Sequence, residues 1–159
     1  YPMKKRTFKT EKVLAAYRLL GSAKYGKLAD EDKIKVLKIC IALKPIATKY
    51  DEDSKDVAEK LKPSEDYDER LAEAQEYERV SRDKDADASQ LKMGPAEFNE
   101  FVKEMNHYQD LISKALKDEM EKEVEVEFEP ITEDALLKLM NSNDWTIAGA
   151  MAVSEVIVL

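Results

Sequence analysis

Between residues 98 and 129 the spacing of apolar side chains changes once, and that change constrains the fold more than any other feature of the chain. Phe98, Phe101, Met105, Tyr108, Ile112 and Ala115 recur at intervals of 3, 4, 3, 4 and 3. This rhythm is the seam of a helix that packs along another helix. Val102, Leu111 and Leu116 widen it. From Glu123 to Glu129 the pattern then alternates strictly, with Val124, Val126 and Phe128 on one side and Glu123, Glu125, Glu127 and Glu129 on the other. Period two is the mark of a half-buried strand. Backbone donors and acceptors in a folded interior must be paired. The strand therefore needs a partner: residues 4–9, the terminal 156–159, or another subunit. The expected fold class is mainly α (α+β), an antiparallel helical hairpin or bundle with a small β element near 123–131.

The rest of the chain supplies helices for that bundle. One is expected to follow Thr10, a suitable N-cap, and to carry Val13, Leu14, Tyr17, Leu19 and Leu20 as far as Gly21. A second begins at Asp30, where Asp30, Glu31 and Asp32 suit the positive end of a helix dipole. Along it Ile34, Leu37 and Ile41 form one apolar stripe, and Val36, Cys40, Leu43 and Ala47 another. Two stripes predict burial on more than one side. Pro45 removes a backbone donor and predicts a kink or break, and Pro63 a stop. Residues 31–61 are the natural antiparallel partner of 95–121, and that pair is expected to form the main core. Thr132 is placed to cap a short helix through Leu136, Leu137, Leu139 and Met140. Residues 145–158 read as a buried helix or a helix followed by a strand.

At 159 residues a single domain is expected. Residues 63–93 are polar and read as an insertion, an exposed charged helix followed by a mobile loop. The acidic run at 83–89 lacks the glycine and terminal glutamate of a calcium loop, so it reads as solvated chain. No apolar run approaches the roughly 20 residues that cross a bilayer. The N-terminal stretch also lacks the apolar segment of a secretory signal. A cytoplasmic protein is expected, with no membrane partner. Tyr1 and Pro2 precede Met3, itself a candidate native start.

Charge is unevenly spread. Residues 1–50 hold thirteen Lys or Arg against four Asp or Glu, and the remainder thirteen against thirty. Such asymmetry signals either a basic arm for nucleic acid or a basic half that packs beside an acidic one. The net charge of −8 favours the second, because overall acidity repels phosphate. The candidate arm is Lys4, Lys5, Arg6, Phe8 and Lys9, and one aromatic makes a poor stacking platform for bases.

Nothing in the sequence carries a catalytic motif, and no catalytic, cofactor or metal residues are assigned. The one cysteine, Cys40, sits in an apolar run and reads as a small buried hydrophobe. The one histidine, His107, sits beside the helical seam and reads as a bundle-edge residue. Glu104, His107 and Asp110 share a helix face without a further ligand of known position. The alternating glutamates share one solvent face, where nothing desolvates them.

Four segments carry a resemblance. A lysine-rich first helix leads into an apolar helix containing Ala42-Leu43-Lys44-Pro45. Later, Glu97-Phe98-Asn99-Glu100-Phe101-Val102-Lys103-Glu104 runs on towards Glu123-Val124-Glu125-Val126-Glu127-Phe128-Glu129-Pro130-Ile131. In this order the chain resembles a family of small phage and prophage proteins of unknown function, often encoded among structural or tail-module genes. The likeness is strongest over 98–131, and residues 63–93 are longer than the family pattern. It implies a virion-associated or assembly role and carries no catalytic residues. The function expected is a non-enzymatic protein-interaction or assembly role, with a protein partner, self or other. The alternative is a small nucleic-acid-binding or regulatory protein using the basic N-terminal arm. The expected interface is the β element and the apolar end: Val124, Val126, Phe128, Val156, Ile157, Val158 and Leu159.

Overall fold

A computed structural model describes residues 3–158. The order of elements is β1 (Lys4–Lys9), α1 (Thr10–Gly21), α2 (Asp30–Leu61), α3 (Tyr67–Arg82), α4 (Pro95–Glu121), β2 (Glu123–Phe128), α5 (Glu133–Ser142) and α6 (Ile147–Ile157). The fold is mainly helical with a small antiparallel sheet. The chain forms two compact units. One runs to Asp53 and resumes at Lys117, and the other is Ser54–Leu116.

In the first unit, β2 finds its partner in β1. The strands run antiparallel, with Lys4 opposite Phe128, Arg6 opposite Val126 and Phe8 opposite Val124. The alternation of β2 then does what period two demands: Val126 and Phe128 are buried while Glu123, Glu125 and Glu127 face solvent. The junction of β1 with α1 is fixed by Thr10, whose backbone N–H and hydroxyl both donate to the Lys122 carbonyl, at 2.8 and 2.9 Å. Thr10 is thus the first helical residue and not the cap. Lys9 occupies the cap position with no side-chain bond.

The C-terminal segment resolves as a helix. Thr146 caps α6 by accepting from the Gly149 N–H at 3.1 Å. Val156 and Ile157 are fully buried within α6. Among the described residues of this segment only Val158 is strand-like, in a parallel bridge to Ile131, and the Ile131 N–H donates to the Ile157 carbonyl at 2.9 Å. Thr132 caps α5 as expected, accepting from the Ala135 N–H at 3.2 Å.

The main core of this unit joins Val13, Ala16 and Leu20 of α1, Val36, Ile39 and Leu43 of α2, Phe128 of β2, Leu139 of α5 and Val153 of α6. No α4 residue belongs to that buried cluster. The expectation that 31–61 and 95–121 together build the main core is corrected here. The N-terminal half of α2 is covered by shorter elements from both ends of the chain. Pro45 neither breaks nor divides α2, which is continuous through it. Pro45 is exposed, so the donor it lacks lies on the watered side of the helix.

The second unit has its own, more aromatic core of Tyr67, Ala74, Met93, Phe101 and Tyr108. Tyr67 meets Tyr108 edge-on at 4.9 Å and Phe101 at 5.4 Å, while Tyr77 stacks on Phe98 at 4.5 Å. The seam of α4 therefore buries Phe101 and Tyr108, and the Tyr108 hydroxyl donates to the Ala58 carbonyl. Residues 63–93 were expected as an exposed insertion. Most of this stretch is exposed, in α3 as in the acidic run near 83–89, but Tyr67, Ala74, Val80 and Met93 are buried.

Candidate interaction surface

Each residue singled out by sequence, Leu159 excepted, can be placed. In β1, Lys4, Lys5 and Lys9 are exposed while Arg6 and Phe8 are partly buried. Arg6 Nη1 donates to the Val158 carbonyl at 2.9 Å, and Phe8 packs against the main core. Lys5 pairs with Glu125 at 3.2 Å. Elsewhere in the basic half, Lys12 meets Glu155 at 3.0 Å and Lys35 meets Glu129 at 3.5 Å. The charge asymmetry is thus partly absorbed inside the first unit, where segments from the two ends of the chain lie side by side. Exposed pairs of this kind contribute at most about 1 kcal/mol each. They nevertheless redirect the basic arm towards its own carboxylates.

The expected interface is not a surface. Val126, Phe128, Val156, Ile157 and Val158 are at most 8% exposed, and Val124 is partly buried. These residues are core, because β1 and the Ile131–Val158 bridge satisfy the backbone that would otherwise seek a partner. Leu159, the last residue of that set, lies outside the described residues, as do Tyr1 and Pro2.

The groups of chemical interest are dispersed. His107 is exposed on α4. Glu104 is engaged by Arg70 at 2.8 Å, and that guanidinium also lies over the Phe101 ring at 5.1 Å. Among the described residues, no group of three or more His, Cys, Asp or Glu is placed to hold a metal ion. In the acidic run, Asp83 and Asp87 accept from the backbone N–H of Asp85 and Ser89 at 3.0 and 2.8 Å, so their carboxylates close local turns. The Ser89 bonds hold Asp87 below the usual carboxylate range. Cys40 is partly buried against the main core. Burial pushes its thiol up, and the neighbouring Tyr25 pulls the other way. Tyr25 is itself pushed up to about 12, first by burial and then by Cys40. A raised thiol is the opposite of an activated one.

One surface stands apart. Val36, Ile39 and Leu43 of α2 are buried, yet Ile34, Leu37 and Ile41 of the same helix are 53%, 60% and 61% exposed. A helix turns about 100° per residue, so these three lie within an arc of about 60°, opposite the buried stripe. Lys38 borders the arc on one side and Lys44 on the other. Both are exposed, and neither carries an ion pair among the described residues. Three large aliphatics in register, each more than half exposed, form a contiguous patch and not scattered surface residues. The sequence pattern revealed this stripe but implied that it would be covered. The sequence carries no signal for this exposure, because which stripe is covered depends on the elements left to pack on it.

Among the described residues, no helix is long and apolar enough to cross a membrane. Comparison of the chain with protein-family models, with curated proteins and with solved structures gives no match.

Proposed function

We propose that the chain is a non-enzymatic interaction protein that engages a protein partner through the Ile34–Leu37–Ile41 face of α2. The observation that carries this reading is the exposure of that face on a helix whose other face is fully used in the core. An amphipathic helix with a second apolar stripe suits helix-to-helix docking, in which side chains at i, i+3 and i+7 serve as anchors. The likeness to small phage proteins assigns such a partner to virion or tail-module assembly. The nucleic-acid alternative loses ground because Arg6 and Lys5 already have partners in their own unit. A photo-crosslinking residue placed at Leu37 in the full chain tests the proposal. A discrete protein adduct is expected in the cells that make it, and none from the same group at exposed Gln75 of α3. Absence of any adduct at position 37 would overturn it.

A further inference from the structure

We infer that the occupant of this α2 face is an amphipathic helix whose apolar seam is flanked by acidic side chains. The inference rests on the reading of that face as the interaction site and adds the chemistry of the partner.

Geometry sets the shape of the occupant. From Ile34 to Ile41 the stripe spans about 10 Å, two helical turns. Its spacing of three and then four residues is the row that a second helix fills by ridges and grooves. Charge sets the flanks. Lys38 and Lys44 lie on opposite sides of the stripe, where the flanking positions of a docked helix come closest. Lys33, nearby on the helix, reaches Asp30 at 3.7 Å. A docked helix with glutamate or aspartate at its flanks meets cations that no described residue of this chain neutralises.

The same lysines argue against a second copy as occupant. A two-fold antiparallel pairing of the stripe with itself sets the Lys38 of both copies on the same side of the seam, near its centre. A parallel pairing sets Lys38 of one copy across from Lys44 of the other. Either arrangement juxtaposes like charges.

The probe is a synthetic peptide of about three heptads with leucine at the a and d positions and glutamate at e and g; its twin carries lysine at e and g. Repulsion between its own flanks keeps each peptide from pairing with itself. Titrated against the full chain at low salt, the glutamate peptide is expected to bind at least about ten-fold more tightly than its twin, with the gap narrowing as salt rises. Leu37→Glu should abolish binding of both, with the circular dichroism spectrum unchanged because Leu37 is exposed. The double variant Lys38→Glu/Lys44→Glu should reverse the preference. Equal binding of the two peptides, preference for the lysine twin, or no binding by either would overturn the inference. A concentration-dependent dimer that Leu37→Glu dissolves would overturn it in favour of a second copy. The failures separate cleanly. Without a crosslinked adduct at Leu37 the interaction reading falls, whereas an adduct combined with charge-blind peptide binding removes only the acidic chemistry.

Discussion

The two faces of α2 are built from the same kinds of residue and meet opposite fates. Val36, Ile39 and Leu43 are 1%, 0% and 0% exposed, while Ile34, Leu37 and Ile41 are all above half. Helix propensity and hydrophobicity hardly distinguish the two sets. What differs is supply. The first unit offers α1, α5, α6 and the sheet to cover one face of the helix, and those elements are consumed there. Amphipathicity tells which residues prefer to leave water. The remaining elements decide which of them can.

The largest test of this contrast is alanine substitution on both faces. Ile39→Ala or Leu43→Ala should each cost about 2–5 kcal/mol, the sum of lost transfer energy and the cavity left behind. Leu37→Ala and Ile41→Ala should stay within about 0.5 kcal/mol, since water already surrounds them. Urea denaturation of the four variants measures both. Comparable losses on the two faces would show that the exposed stripe is covered in solution.

Pro45 sharpens the comparison from the backbone side. It is exposed beside the open stripe, in a helix that continues through it without the missing donor. Pro45→Ala restores an intrahelical hydrogen bond and a good helix former, so a gain of about 1–3 kcal/mol is expected. Part of the full helix-interior penalty is offset because proline also restricts the unfolded chain. A loss of stability would mean that the proline shapes the helix around the core.

The legible part of this structure follows one rule: features set by local chemistry could be read, and features set by competition among elements could not. The alternation of Val124, Val126 and Phe128 required a strand, and Lys4–Lys9 was among its three candidate partners. Thr132 capped a helix because its hydroxyl lies three residues from the Ala135 N–H it satisfies. The end of the chain was different. Val156, Ile157 and Val158 have strand-forming side chains, yet capping by Thr146 and burial beside α1 draw most of them into α6. Residues 63–93 were legible only in part, for a related reason. Their charges are dense, but Tyr67 and Ala74 lie on one helical stripe that is enough to seat Phe101 and Tyr108. The site was the least legible element. Its residues were visible as a stripe, but whether the chain covers its own apolar face is a property of the whole fold.

A smaller effect probes the buried side of α2 through its border residue. Tyr25, whose hydroxyl donates to the Leu20 carbonyl, packs against the main core and touches Cys40. Its folded-state value, about 12, is above the ordinary tyrosine value of 10.0. The neutral phenol is therefore favoured by folding. The stabilisation is full below the unfolded value and disappears as pH rises through the folded one, a window from about 10 to about 12. Because the ring is only partly buried, a contribution of roughly 1 kcal/mol is expected, well short of the unscreened figure. The difference in ultraviolet titration between the wild-type chain and Tyr25→Phe isolates this phenol. A difference curve centred on the ordinary tyrosine value would remove the assignment.

The smallest expected change in stability comes from reversing the charges that border the open stripe. Neither Lys38 nor Lys44 has an acidic residue three or four positions away along α2: Ile34, Lys35, Ile41 and Ala42 surround the first, and Cys40, Ile41, Ala47 and Thr48 the second. No helical ion pair is lost in Lys38→Glu/Lys44→Glu. At position 38 the change even removes a like charge from Lys35 and supplies an opposite one at the favourable spacing of three. The melting temperature should therefore move little, corresponding to less than about 0.5 kcal/mol. If these lysines stabilised the fold, the double variant would unfold measurably earlier, and their lack of ion pairs would need another explanation. If stability holds, the fold does not require the two lysines that border the stripe. That outcome is what separates a surface shaped for a partner from one shaped by folding.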